Sequence, residues 1–228
     1  MEFGNMLGES FAYTKEGVVD KINKWVMLAI ATLILCIPLM GYVMKIFRGE
    51  KPAPEVDDWG KLFVDGIMYI IVSIIYAIPL IILQMLMFGA VAASAMTGDP
   101  SAMMTGMAGA GILFLIYIIV AIIIGLVAPI ALIRFARSGS FGEAFNFSAI
   151  LATIGKIGWI NYIIAMIIVA IVIGIPVAII YVILIALIFA LSVIGLLIAA
   201  VVFLFLIPVV AVFQSRYITQ IYDSLSGY

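Results

Sequence analysis

Four carboxylates fall close together at Glu55, Asp57, Asp58 and Asp65, and hard oxygen ligands at that density can hold a divalent cation. The same residues serve equally as a solvated loop leading to a helix N-cap, which asks less of the sequence. Met96, Met103, Met104 and Met107 form a second group, and thioethers bind Cu(I). With 13 methionines spread through the chain, a flexible apolar outer loop packing on its neighbours explains that group more simply. Histidine is absent and cysteine occurs once, at Cys36, so an intrachain disulfide is excluded and a Cys/His zinc or haem site lacks ligands. No phosphate-binding glycine loop, metalloprotease motif or Ser/His pair is present. Catalytic, cofactor-binding and metal-ligating residues are therefore expected to be none, and the protein is read as not an enzyme.

Composition says where any such residues must sit. Of 228 residues, 67% are hydrophobic and only 10% are charged, too few polar groups to clothe a soluble fold. The apolar side chains must face lipid as well as each other. Net charge is −1, which excludes a nucleic-acid footprint. The segment before Trp25 carries six charges after Gly8 and lacks the apolar core of a cleaved secretory signal, so the first hydrophobic run reads as a retained span.

Uncharged runs measure the spans. Trp25 to Met44 gives 20 residues, Gly66 to Gly98 gives 33, Pro100 to Ile133 gives 34 and Ile157 to Ser215 gives 59. A crossing needs about 20 apolar residues, so the last run must turn once, and a tight turn between Leu187 and Gly195 divides it best. The third run opens with a Gly/Ala/Met/Ser stretch, which delays its crossing to about Ile112. The expectation is an all-α polytopic bundle of about five spans, near residues 25–44, 66–96, 112–133, 159–186 and 193–215, forming a domain over residues 25–228. Each span carries one proline, at Pro38, Pro79, Pro129, Pro176 and Pro208. Ordinary kinks account for these, and hinges around a pathway are the alternative.

Five spans place eight Lys and Arg on the side of the Lys45–Lys61 loop and three on the other. The positive-inside rule then sets the N-terminus outside and the C-terminus in the cytoplasm, although Lys15, Lys21 and Lys24 before the first span pull the other way. On a helix, Leu7, Phe11, Val18, Ile22 and Trp25 share one stripe opposite Glu9, Glu16 and Asp20. Residues 1–24 are accordingly read as an amphipathic interfacial helix with snorkelling lysines.

Two loops echo each other. Asp58-Trp59-Gly60-Lys61-Leu62-Phe63 and Ser140-Phe141-Gly142-Glu143-Ala144-Phe145 both run capping residue, aromatic, glycine, charge, apolar, phenylalanine. Asp58 and Ser140 are expected to cap helices, Ser140 with Glu143 as a capping box. The echo suggests two parallel span–loop–span units. Asp57, Asp58, Trp59, Phe63, Phe141, Glu143 and Phe145 are the candidate cytoplasmic contact motif.

Gly41-Tyr42, the stretch Pro54-Glu55-Val56-Asp57-Asp58-Trp59-Gly60-Lys61-Leu62-Phe63-Val64-Asp65-Gly66, Tyr76-Ala77-Ile78-Pro79 and Phe141-Gly142-Glu143-Ala144-Phe145 together resemble a known family. It is domain of unknown function family 4013, uncharacterised polytopic membrane proteins found mainly in archaea. The resemblance covers most of the chain and implies a multi-pass protein of the cytoplasmic membrane. It implies no activity and transfers no catalytic residue.

No Asp, Glu, Lys, Arg or His falls inside any expected span, whereas ion-coupled carriers and proton relays keep such groups at membrane depth. The expected function is an oligomeric scaffold or accessory subunit, with membrane lipids, copies of itself or other membrane subunits as partners. Gly89-xxx-Ala93 and Gly106-xxx-Ala110 offer close helix approach. The alternative is a pore or carrier for an uncharged or amphipathic molecule or lipid, lined by Tyr69, Tyr76, Gln84, Tyr117, Asn161 and Tyr181.

Overall fold

A computed structural model describes residues 2–226 and is helical throughout, with no strand among the described residues. The helices are α1 (Phe3–Thr14), α2 (Ile22–Leu33), α3 (Ile37–Phe47), α4 (Trp59–Met96), α5 (Pro100–Ser138), α6 (Phe147–Ile157), α7 (Trp159–Leu191) and α8 (Val193–Asp223). A π-helical turn, Lys15–Val19, follows α1, and a 3₁₀ turn, Phe141–Phe145, precedes α6. Four helices, α4, α5, α7 and α8, are long and apolar enough to cross a membrane. In the most apolar window of each, between 6% and 17% of residues are buried, so most of that surface is left for lipid. The chain divides into two compact units, residues 1–70 with 130–228, and residues 71–129.

The first expected span is not one helix. Residues 25–44 fall into α2 and α3, separated at 34–36 by a turn in which Leu35 and Cys36 both take left-handed backbone, φ 53° and 58°. Pro38 supplies the reason. It has no N–H to give the Ile34 carbonyl and its ring crowds that group, so it stands in the first turn of a new helix. The chain then doubles back. Lys24 in α2 donates to the carbonyls of Ala53 and Pro54 at 3.2 and 3.0 Å, while Lys45 at the far end of α3 reaches Glu55 O at 3.2 Å. Both legs thus begin and end at the same loop. Tyr42 adds a hydrogen bond to Pro54 O at 2.8 Å.

Around this hairpin the larger unit builds its core. Val18, Leu28, Leu39, Tyr42, Leu62 and Val212 pack together, with Trp25 and Trp59 against them. From Pro38 to Phe47 all residues of α3 are buried except Met40, which makes α3 the enclosed helix of this unit. Two glycines let it lie directly on α4. A Cβ at Gly41 would stand 2.0 Å from Leu62 O, and one at Gly66 would stand 1.9 Å from Ile37 O. Trp25 ties α2 to α8, donating Nε1–H to Phe205 O at 2.9 Å beside the ring of Phe205, one turn before Pro208. The carbonyl that Pro208 leaves without its helical N–H is that of Leu204, so the Trp25 bond falls on the next carbonyl along and serves to join the two helices.

The N-terminal reading changes in two respects. The expected stripe does not run on one helix, because the π turn and the break at Asp20–Lys21 assign Ile22 and Trp25 to α2. The face of α1 that packs is small and polar: Ser10 and Thr14 are buried, while Phe11 is exposed. That face lies on the C-terminal end of α8, where Gln220 donates to Ser10 Oγ at 3.0 Å. The N-terminal helix and the end of α8 are therefore neighbours, not on opposite sides as five spans required.

The turn between α7 and α8 falls where expected, at Ser192 with φ 52°, and Gly195 permits the close return past Leu187 O. In the smaller unit the expected outer loop is helix. Asp99 caps α5 by accepting from Ser101 N at 2.9 Å, Pro100 opens the helix, and the Ala/Met-rich sequence continues it. Gly106 lies against Ala90 O and Ser94, closing the α4–α5 hairpin through small residues.

Candidate functional site

Charged residues of the larger unit gather at the ends of helices, where free carbonyls and loop amides need partners. The C-terminus of α3 accepts from Arg137 Nε at Phe47 O, 3.1 Å, and from Thr219 at Ile46 O, 3.4 Å. Arg48, just past α3, returns the arrangement by donating Nε to Ala136 O near the end of α5 at 3.3 Å. Cations at helix C-termini are favoured by the helix dipole as well as by the hydrogen bonds. Each of the two arginines also holds a carboxylate: Arg48 with Asp65 at 2.6 Å and Arg137 with Asp223 at 2.5 Å. Arg137 further lies over the ring of Tyr222.

The four acidic residues near position 58 do not converge. Glu55 faces Lys24 at 2.8 Å and Lys21 at 3.7 Å, Asp57 faces Lys45 at 2.5 Å, and Asp65 faces Arg48. Asp58 instead caps α4, accepting from Lys61 N at 3.2 Å with its own backbone at φ 46°. Lysine hydrogen bonds hold the carboxyls of Glu55 and Asp57 below the usual carboxylate range. Among the described residues no group of three or more His, Cys, Asp or Glu could hold a metal ion.

The echoing motif takes two different structures. Trp59 opens the 38 residues of α4 and packs on the hydrophobic core. Phe141 starts an isolated 3₁₀ turn and meets Phe135 and Phe145 edge to face. Ser140 makes no side-chain cap, and the expected capping box is absent. Glu143 turns to Arg134 and to Asn146 Nδ2, and it is Asn146 that caps α6 by accepting from Ala149 N at 3.2 Å. Asn146 first, then Arg134, lowers the Glu143 carboxyl below its usual range. A charged side chain with a strong local partner thus overrides the spacing of a capping box. Phe63 is half-buried on α4.

Sequence reasoning missed Arg216, which is enclosed to 2% exposure at the polar end of α8. It also missed the lysine pair Lys24 and Lys45, although their positions at the two ends of one apolar run were a signal that a single loop could meet both. Arg216 lines a polar cleft of about 470 Å³ with Glu9, Tyr13, Glu16, Lys21 and Lys51. Burial raises the Tyr13 hydroxyl above its ordinary range. An apolar groove of about 480 Å³ lies along the same N-terminal segment, lined by Phe11, Val19, Pro176, Val209 and Phe213, with Lys15 as its one charged residue. Of the residues suggested for a pathway, Asn161 lines a polar cleft with Arg134 and Lys156, Tyr181 is exposed on α7, and Tyr69 stacks on Phe47.

A family model described as a protein of unknown function (DUF4013) matches residues 25–189. The match takes in the α2–α3 hairpin, its clamping loop and the helices through most of α7. The α1 segment and Arg216 lie outside it. No curated protein and no solved structure matches the chain.

Proposed function

Since the chain belongs to the DUF4013 family, whose description assigns no activity, we propose from its physical form that it is a non-enzymatic multi-pass protein of the cytoplasmic membrane that works by association. It assembles with itself or serves as an accessory subunit of a membrane complex. The observation that carries this is the unused small-residue surface of the α4–α5 hairpin. Gly106 is taken up within the hairpin, but Cβ atoms at Gly89, Gly109 and Gly111 would meet nothing. Neighbouring Met85, Phe88 and Ile112 are exposed. Lipid covers such helices adequately, yet apolar helices gain little from mutual burial in lipid and associate where small residues allow close packing. The residues between Gly66 and Ile133 carry only one charge, Asp99, at the turn, which supports association over ion coupling.

In the bilayer, the four long helices cross and the α2–α3 hairpin enters and returns. Each leg, 12 and 11 residues, reaches about 18 Å, roughly half of the hydrocarbon core. All 11 basic residues then fall on one side, with α1 and the end of α8, and the positive-inside rule makes that side cytoplasmic. The α1 segment lies along this interface.

Size-exclusion with light scattering in mild detergent tests the association. The expected result is an oligomer or larger complex, reduced to smaller species by Gly89→Leu with Gly109→Leu. A monodisperse monomer in the parent protein overturns the reading. A second reading, a carrier for a lipid or amphipathic molecule, is favoured by the apolar groove beside Pro176. Protein-dependent lipid transfer between vesicles by such a monomer would put it first.

A further inference from the structure

Arg216 heads the fully buried side chains by volume, and its Nε and Nη1 have no hydrogen-bond partner. Its remaining contacts are weak. Nη2 stands 3.5 Å from an exposed Glu9 carboxylate, longer than a charge-assisted hydrogen bond, and Cζ lies 5.0 Å from the centre of the Tyr13 ring. The other three arginines each hold a carboxylate at close range. A guanidinium enclosed without a matched anion is an unfavourable arrangement unless something else supplies the charge.

The cleft that Arg216 lines sets Lys21 and Lys51 beside it against the carboxylates of Glu9 and Glu16, three cations to two anions. Lys51 forms no ion pair among the described residues, and Lys21 reaches Glu55 only at 3.7 Å. We propose that this cleft binds a phosphate-bearing anion, held by Arg216, Lys21 and Lys51, which displaces the Glu9 carboxylate from the guanidinium. The planar fork of arginine matches phosphate oxygens, and two lysines add compact charge at the rim. Arg216 stands about 35 Å along α8 from Val193, just beyond a hydrocarbon core of about 30 Å. On the crossing proposed for α8, that is headgroup depth, so a lipid phosphate and a free phosphate ester both have access. Binding in detergent does not depend on that placement.

The test uses the full chain in two settings, with inorganic phosphate titrated in detergent and with nanodiscs of phosphatidylcholine alone or mixed with phosphatidylglycerol. Thermal midpoint and lipids retained in native mass spectra are read in both. Anion binding should raise the midpoint, and Lys51→Gln should weaken it about tenfold. Glu9→Gln should tighten it, while Lys61→Gln, outside the cleft, should leave it unchanged. Both Glu9 and Lys51 are exposed, so these variants fold even where Arg216→Gln does not. A response to phosphatidylglycerol alone assigns the phosphate to a lipid headgroup, and a response to inorganic phosphate shows that a free phosphate anion suffices. No response to either anion, or equal losses in Lys51→Gln and Lys61→Gln, overturns the proposal.

Discussion

Gly41 and Gly66 decide how closely α3 can lie on α4, because the atoms opposite them are backbone and cannot swing aside. A methyl group there needs the helices to separate by more than an ångström, which undoes the packing of Leu39, Tyr42 and Leu62. Overpacking of this kind costs about 1–3 kcal/mol, and backbone on both sides puts these sites at the upper end. Gly41→Ala and Gly66→Ala should each lower the thermal midpoint in detergent clearly. Gly125→Ala, where the new methyl meets nothing, should hold or slightly raise it by improving helix propensity. Equal midpoints for all three would show that α3 does not rest on α4 as described.

Among the elements, the loop at residues 53–57 behaves as the clasp of the α2–α3 hairpin, since Lys24 and Lys45 reach it from opposite legs. The carboxyls of Glu55 and Asp57 are lowered in the folded protein, by Lys24 and Lys45 respectively. A depressed carboxyl contributes stability above its unfolded pKa, and that contribution fades as pH falls through the folded value. Stability should therefore decline on acidification through and below the ordinary carboxylate range, around pH 4. Glu55→Gln with Asp57→Asn should flatten that decline in thermal melts from neutral to acid pH. An unchanged slope would mean that these pairs do not hold the clasp.

For the whole molecule, the arrangement of burial is the reverse of a soluble protein. The apolar windows of the long helices are largely exposed, whereas the polar end of α8, Ser215 to Gln220, is buried with α1. The proposed topology of four crossings and a returning hairpin covers the first with lipid and the second with protein. Single cysteines in a Cys36→Ala background test this. Position 101, at the α4–α5 turn, should react with an impermeant thiol reagent from outside intact cells. Positions 5, 51 and 139 should react only after permeabilisation. Labelling at position 5 from outside would restore a first crossing and separate the termini.

Composition and the spacing of charges sufficed for the helical class, the long apolar helices and the turn near Ser192, because a bilayer sets helix length and charge marks its borders. The acidic-tryptophan stretch, together with the shorter motifs at 41–42, 76–79 and 141–145, carried the resemblance to the family. The fate of residues 25–44 was not decided that way. Twenty uncharged residues cross a bilayer or double back within it at equal hydropathy, and Pro38 fits either a kink or a helix start. The loop at 53–57 favoured the turn by meeting both Lys24 and Lys45, and the Lys24 contacts reach across 29 and 30 positions, which no local pattern encodes. The two echoing motifs parted for a similar reason, since Glu143 found Arg134 and Asn146 where a capping box had been expected. Arg216 remained an ordinary end-of-span charge until α1 folded over it. Hydropathy is a property of each segment, whereas enclosure of a charge belongs only to the packed chain.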